Sequence, residues 1–140
     1  MSHKVTTVWK EKMIFESDNP SGYHFNVGQS EEENDPYKPL RPKAIMLSSL
    51  AACSGLDVVS ILEKMKVELK DFKIEVEGEL TDEHPKYYHS VTVDYHFYGN
   101  DLNEEKINKA VNLSVEKYCG VMEMFRRFAK IKTATHFHNL

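Results

Sequence analysis

The stretch LSSLAACSGLDVVSILEKMK, residues 47–66, decides how the rest of the chain is interpreted. It is mostly apolar, and its one thiol, Cys53, is surrounded by small residues. Pro42 lies just upstream, and proline is tolerated in the first turn of a helix, so we predict a helix over residues 43–65. Apolar side chains fall on every side of this helix. That pattern is typical of a buried helix.

A narrow polar stripe interrupts the apolar surface of this helix. Ser49, Cys53, Asp57 and Ser60 follow the spacing i, i+4, i+8, i+11 and therefore share one face. Taken alone, a buried cysteine among small residues is more often a small hydrophobe at a close helix contact than a nucleophile. Its role therefore depends on the rest of the chain.

The flanking segments predict strands. VTTVWKEKMIFESD and GYHFNVG, on either side of the turn DNPSG, predict two or three antiparallel strands. DFKIEVEGEL (71–80) and SVTVDYHFYG (90–99) alternate apolar and polar residues, as half-buried strands do. In the second of these strands the predicted inward residues are Val91, Val93, Tyr95 and Phe97.

The C-terminal third predicts two short helices and a last strand. Asn103, followed by Glu104 and Glu105, marks a helix start. Helical spacing continues to Cys119, a second helix follows over 121–129, and a strand ends the chain. This order predicts one α+β domain over residues 1–140, with an antiparallel sheet packed on the long central buried helix.

Composition and charge exclude several classes of protein. The chain has 140 residues, 41% hydrophobic and 29% charged, with a net charge of −4, which argues against a nucleic-acid partner. The N-terminus lacks the apolar segment of a secretory signal. We expect no run long enough to span a bilayer, hence no membrane partner and a cytoplasmic location. A cytosolic pair of cysteines is more often free or redox-active than a structural disulfide.

Two motifs resemble those of one known family. PKAIMLSSLAACSGLDVVSILEKM (42–65) and SVEKYCGVMEMFRRFAKI (114–131) are similar to the two cysteine motifs of the OsmC/Ohr family of thiol-dependent peroxidases. The order of elements also agrees over essentially the whole chain. The resemblance implies an OsmC-like fold and an intertwined homodimer with active sites at the subunit interface. It implies that Cys53 is the peroxidatic cysteine and Cys119 the resolving one.

The implied chemistry needs a thiolate and a second thiol. The thiolate attacks the peroxide, and the resulting sulfenic acid condenses with the second thiol. The resemblance implies an organic hydroperoxide as substrate, a small or lipoyl-type dithiol as reductant and no cofactor. Apolar walls beside Cys53 suit an organic hydroperoxide better than hydrogen peroxide.

The chain departs from the family pattern around the thiol. The peroxidases of the family carry a glutamate directly after the motif proline, which holds an activating arginine; here that position is Lys43. Arg41 precedes the proline, and the early strands contain no arginine. His24 is a candidate substitute cation, although an ordinary strand histidine is the simpler interpretation. Asp57 lies one turn after Cys53, where an ionised carboxylate opposes thiolate formation.

Two functions therefore stay open. The first is a thiol-dependent peroxidase that reduces organic hydroperoxides through a two-cysteine cycle in oxidative stress defence. The alternative is a non-peroxidatic OsmC-like dimer that binds a small ligand or senses redox state after losing the activating circuit. Lys43 in place of glutamate favours the alternative, and retention of both cysteines favours the enzyme.

Other charged residues carry weaker signals. His136 and His138 share a strand face, but two histidines make a weak metal site, so we expect no metal. Arg126 and Arg127 are interpreted as surface or interface charges. Cys119 precedes a helix whose positive N-terminal end lowers a thiol pKa. We therefore expect Cys119 to be at least as acidic as Cys53 in the reduced protein, unless a cation from the partner chain reaches Cys53, and to lie close enough to bridge with it.

The first prediction concerns assembly. A helix that is apolar on every side needs more partners than one sheet face offers. We expect an obligate homodimer in which two copies of the 43–65 helix pack at the centre. Light scattering at micromolar concentration should give twice the chain mass of 16.2 kDa, and a value near the single-chain mass would reject the dimer.

Overall fold

The computed structural model describes all 140 residues and divides into two compact units, Met1–Met46 and Leu47–Leu140. Helix α1, Pro42–Lys64, begins at the end of the first unit and continues into the second. Each unit contains one three-stranded sheet. The predicted α+β class is confirmed, with two small sheets where the sequence predicted one.

The first unit is an antiparallel meander. It contains β1 (Thr7–Glu11), β2 (Ile14–Asp18) and β3 (His24–Gly28), paired in the order β1-β2-β3. The predicted turn DNPSG joins β2 to β3, and the Gly22 N–H donates to the Asn19 carbonyl at 2.8 Å. Gly22 has a φ of 92°, which glycine adopts without strain. The strands predicted before residue 30 are therefore confirmed, and there are three of them.

Helix α1 buries only one row of side chains within a single chain. The row repeats every four residues, which is the spacing of one helix face, and consists of Leu50, Ser54, Val58 and Leu62. Three apolar side chains elsewhere on the helix, Met46, Leu56 and Val59, are 44%, 74% and 51% exposed. The helix bounds were predicted to within one residue, but the all-round burial is not reached in one chain. The sequence pattern could not reveal this, because it does not distinguish a chain's own core from a surface that a partner covers.

The second unit has a mixed sheet in the order β4-β5-β6. Strand β4 (Asp71–Leu80) is antiparallel to β5 (Tyr88–Gly99), whereas β6 (Lys130–Asn139) is parallel to β5. The sequence predicted an antiparallel sheet, so the β5–β6 pairing is a correction. It arises because the helices between the two strands form a crossover that returns the chain to the end of the sheet where β5 began.

The crossover contains α2 (Glu104–Leu113), a π-helical turn (Ser114–Tyr118) and α3 (Gly120–Arg126). The Asn103 side chain caps α2 by accepting the Lys106 N–H at 3.1 Å, as predicted. The sequence predicted regular helix up to Cys119. The last turn before Cys119 is instead a π turn, a feature that propensity does not reveal.

The core of the second unit lies between the sheet and the helices. The predicted inward residues of β5 are all buried, with Val91, Val93, Tyr95 and Phe97 at 0% exposure. Phe97 stacks between Phe72 and Phe137, at ring-centroid distances of 4.5 and 6.3 Å. These side chains pack with the buried row of α1 and the inner faces of α2 and α3.

Helix α1 also corrects the expectation about membrane spans. It has 23 residues and a mean hydropathy of 1.9 over its most apolar window, so by length and composition it is able to cross a bilayer. At 1.5 Å per residue it reaches about 34 Å, just above the thickness of the hydrocarbon core. Core helices of soluble proteins pass the same test, which makes it weak evidence for a span.

Replacing Phe97 with alanine should lower the free energy of unfolding by about 3–5 kcal/mol, because it removes the central ring of the stack and leaves a cavity. Tyr87→Ala is the control, since that side chain is 50% exposed and should cost much less. Urea unfolding at a fixed protein concentration measures both. Equal losses in the two variants would contradict this account of the core.

Candidate active site

A buried chain of hydroxyl groups connects α1, β5 and the π turn. The Ser54 hydroxyl lies 2.6 Å from the Tyr95 hydroxyl and 2.8 Å from the Ser114 hydroxyl. All three side chains are at 0% exposure. A buried hydroxyl without a partner is costly, so these groups stabilise the fold only as a connected set.

This row of hydrogen-bonded hydroxyl groups ends at the Asp57 carboxylate. The Ser114 hydroxyl donates to Asp57 Oδ2 at 3.0 Å. An ionised carboxylate only accepts hydrogen bonds, and this fixes the direction of every hydrogen bond in the hydroxyl chain. Tyr95 donates to Ser54, Ser54 donates to Ser114, and Ser114 donates to Asp57. Three hydroxyl dipoles therefore point toward the carboxylate and stabilise its negative charge in a partly buried position.

Cys119 lies at the junction between the π turn and α3. Its backbone is extended there, with a ψ of 103°, which separates the two helical segments. Its N–H donates to the Ser114 carbonyl at 2.9 Å, and its Sγ accepts the Met122 N–H at 3.3 Å as the cap of α3. The side chain is only 3% exposed. Ser114 thus contacts Cys119 through its carbonyl and Asp57 through its hydroxyl.

Burial raises the pKa of the Cys119 thiol from its ordinary value of 9.0 to about 11. The Met122 N–H opposes this shift, while the Cys53 thiol, as a hydrogen-bonding neighbour, and the Asp57 charge add to it. The predicted lowering of this pKa by the N-terminal end of α3 was therefore wrong. The amide is present and acts in the expected direction, but desolvation outweighs it.

Cys53 lies on α1, directly before Ser54, and is partly exposed. Both cysteines are free thiols. The Cys53 side chain is a hydrogen-bonding neighbour of the Cys119 thiol, so the two thiols lie near each other. Their peroxidatic and resolving roles, and the disulfide between them, stay predictions.

Residues 35–134 match the sequence profile of a family described as OsmC-like protein. This chain belongs to that family. Among curated relatives, Protein YhfA of Escherichia coli K12 is 28% identical over 123 residues, which cover 88% of this chain and 89% of YhfA.

Solved structures similar to this OsmC-like protein include a hypothetical protein and an organic hydroperoxide resistance protein. A hypothetical protein from Aquifex aeolicus VF5 is 31% identical, with a TM-score of 0.82 and coverage of 98% of each chain. The organic hydroperoxide resistance protein OhrB of Bacillus subtilis is 19% identical, with a TM-score of 0.66, and the match covers 96% of this chain and 98% of OhrB. The second likeness shows the shared fold, and the predicted OsmC-like fold is confirmed.

The other candidate site residues lie in the first unit. His24 begins β3, and its Nδ1 lies 3.6 Å from Glu16 Oε1. Arg41 lines a cleft of about 660 Å³ that is formed by charged, polar and apolar residues of the same unit. Lys43 is in the first turn of α1 and is exposed. The activating role considered for these three residues at Cys53 stays a prediction.

Sequence reasoning missed three members of the hydroxyl chain. Tyr95 was predicted to face inward, and a buried tyrosine normally requires a partner for its hydroxyl, which was the available signal. Ser54 and Ser114 sit among apolar residues at buried helical positions, but a serine there also satisfies its own helix backbone. Their mutual contact depends on packing between elements 60 residues apart, which no local pattern shows.

A second polar cluster covers the outer face of the β4-β5-β6 sheet. His96 Nδ1 lies 3.0 Å from His138 Nε2, and His96 Nε2 lies 3.0 Å from Glu75 Oε1. His136 Nε2 lies 2.8 Å from Asp94 Oδ1 and its ring stacks on His96. No group of three or more histidine, cysteine or acidic side chains in the chain is arranged to hold a metal ion.

The raised pKa of Cys119 predicts a specific loss of stability at alkaline pH. The unfolded chain releases this proton near pH 9, whereas the folded chain keeps it to about pH 11, so its stabilising effect is complete below pH 9 and disappears as pH rises through 11. The free energy of unfolding of the native protein, relative to that of Cys119→Ala, should therefore fall by on the order of 2 kcal/mol across that range.

Urea unfolding of both proteins under reducing conditions, from about pH 7 to about pH 11, measures this difference in the free energy of unfolding. Groups distant from Cys119 are common to both proteins and cancel in the comparison, whereas Tyr95 does not cancel fully, because Cys119 contributes to raising its pKa. A difference that stays constant or grows with pH would contradict the raised pKa.

Proposed function

We propose that this OsmC-like protein reduces organic hydroperoxides in a two-cysteine cycle, with Cys53 as nucleophile and Cys119 as resolving thiol. The observation that carries the proposal is a pair of neighbouring thiols with unequal access. Cys53 is partly exposed, whereas Cys119 is 3% exposed and interacts with Cys53. A hydroperoxide from solvent therefore meets Cys53 first.

The first step is a two-electron transfer to the peroxide. The Cys53 thiolate attacks one oxygen of the hydroperoxide, an S–O bond forms and the O–O bond breaks. The alkoxide takes a proton and leaves as an alcohol. Cys53 is left as a sulfenic acid, and the peroxide has been reduced. Cys53 is partly buried and packs against the hydrophobic core, and such surroundings suit an organic substituent.

The second step forms the disulfide. The Cys119 sulfur attacks the Cys53 sulfur, the S–O bond breaks, and the departing hydroxide takes a proton to leave as water. Because the pKa of Cys119 is about 11, this thiol stays protonated until the sulfenic acid forms beside it. The proton that Cys119 releases balances the one that the hydroxide gains. A small or lipoyl-type dithiol then reduces the disulfide and returns both thiols.

The proposal includes an intertwined homodimer in the cytoplasm with the site at the subunit interface. The exposed apolar side chains of α1 support it, since Leu56 and Val59 are large hydrophobic residues that one chain leaves uncovered. His24, Arg41 and Lys43 are the candidate cations for activating Cys53. No nucleic acid, membrane, metal or cofactor is part of this proposal.

A second function is favoured by one specific observation. The Asp57 carboxylate accepts a hydrogen bond from the Ser114 hydroxyl, and its negative charge contributes to raising the pKa of the Cys119 thiol. A protein built this way is suited to holding a small ligand or sensing redox state without rapid turnover. Lys43 in place of the family glutamate points in the same direction.

The experiment that separates the two functions adds one equivalent of cumene hydroperoxide and follows free thiol with time. The peroxidase predicts loss of both thiols much faster than from free glutathione at the same pH. Cys53→Ser should abolish the reaction, whereas Cys119→Ser should consume one equivalent of peroxide and leave a sulfenic acid that dimedone traps. Loss no faster than that of glutathione would reject the peroxidase and support the binding or sensing protein.

A further inference from the structure

We infer that Arg126 is a positioning residue that keeps the turn before Cys119 in its π-helical form and thereby holds the Cys119 thiol beside Cys53. The catalytic meaning of this inference rests on the proposed function, whereas its structural part does not. Arg126 was interpreted from the sequence as a surface or interface charge. Its contacts in the structure are of a different kind.

Arg126 reaches back from the end of α3 to the π turn. Its two terminal nitrogens, Nη1 and Nη2, both donate to the Val115 carbonyl at 2.8 Å. Glu123 orients the guanidinium, with Oε2 lying 3.3 Å from Nε and 3.2 Å from Nη2. The side chain is about two-thirds buried, at 32% exposure. A planar guanidinium that is held at both ends is a rigid link across the break at Cys119.

The Val115 carbonyl, which Arg126 bonds, is the group that would accept the Cys119 N–H if this turn were α-helical. In the structure the Cys119 N–H donates to Ser114, five residues back, which is the π-helical pattern. In an α-helix the same N–H would donate to Val115, four residues back. Arg126 occupies the Val115 carbonyl with two charge-assisted hydrogen bonds and so competes with that α-helical bond.

Loss of the guanidinium changes this competition. Val115 is buried, so its carbonyl without Arg126 would need another donor, and the donor that an α-helix supplies is the Cys119 N–H, which bonds the Ser114 carbonyl in the native protein. The turn would then rewind from π to α, and Cys119 would rotate about the helix axis by roughly one residue step. That rotation separates the thiol from the Met122 N–H and from its Cys53 neighbour, while the Ser114 hydroxyl stays with Asp57.

The chain offers a matched control in the next residue. Arg127 carries the same charge and contacts the same Glu123, with Nε 3.2 Å from Oε1, but it is 77% exposed and has no bond to the π turn. Arg127→Gln therefore removes an identical charge next to the same acidic partner. Any effect confined to Arg126→Gln reports the bond to Val115 and not the loss of a positive charge.

The structural part is tested by nuclear magnetic resonance on the reduced, full-length protein. Scalar coupling across the hydrogen bond identifies the carbonyl that accepts the Cys119 N–H. We expect Ser114 in the native protein and in Arg127→Gln, and Val115 in Arg126→Gln. Retention of the Ser114 acceptor in Arg126→Gln would overturn the inference, whether or not the protein is a peroxidase.

The catalytic part is tested by rapid mixing with one equivalent of cumene hydroperoxide. Disulfide formation should slow at least about tenfold in Arg126→Gln, and trapped Cys53 sulfenic acid should accumulate, because a small misplacement of a reacting group has a large effect on rate. Cys53 oxidation should stay within about twofold of native. Arg126→Lys keeps the charge on a single nitrogen without the planar fork, so its rate of disulfide formation should fall between those of the native protein and Arg126→Gln.

These experiments distinguish failure of the role inferred for Arg126 from failure of the proposed peroxidase function. If Arg126→Gln and Arg127→Gln form the disulfide equally fast, Arg126 has no positioning role in resolution. If the native protein forms no disulfide with this oxidant, the proposed function fails, and the acceptor of the Cys119 N–H still decides the structural part. Circular dichroism of each variant confirms that a slowed reaction comes from a folded protein.

Discussion

The hydroxyl group of Ser114 donates to Asp57 and accepts from Ser54, and the arrangement of the second unit depends on this contact. The Ser54 hydroxyl passes the connection on to Tyr95, so α1, the crossover helices and β5 meet at one set of buried polar groups. Each of these groups would destabilise the core if left without its partner. The helices and the strand are therefore held in one relative register, which apolar packing alone specifies less sharply.

The same contact connects the fold to the thiol chemistry. The Ser114 carbonyl accepts the Cys119 N–H, and the Asp57 charge that the Ser114 hydroxyl stabilises acts on the Cys119 thiol. Desolvation and this charge raise the pKa of Cys119, while the Met122 amide opposes them. A site of this kind keeps its buried thiol protonated and inert until a partner sulfur changes state. That behaviour suits a resolving cysteine and equally suits a slow redox sensor.

The π turn shows how a local backbone irregularity serves a site. A regular helix would direct the Cys119 N–H to Val115, but Arg126 holds that carbonyl and the N–H bonds to Ser114 instead. π-Helical turns are rare and occur often at functional sites. Here the turn lies between the hydroxyl chain and the cap of α3, so its geometry sets where the Cys119 sulfur lies relative to both.

The sequence by itself determined the element order, the bounds of α1, the two alternating strands of the second sheet and the identity of the two cysteines, because each of these depends on local periodicity or composition. Phe97 and Tyr95 were placed in the core by alternation alone, and Asn103 was recognised as a cap from its neighbours.

Only the tertiary structure decided that β6 pairs in parallel, that Ser54, Tyr95 and Ser114 form one chain ending at Asp57, that burial raises the pKa of Cys119 and that Arg126 bonds the π turn. The physical reason is common to all four. Pairing direction, desolvation and hydrogen bonds between distant segments are set by which elements pack together, and a periodic pattern along one segment contains no information about the segment that it meets.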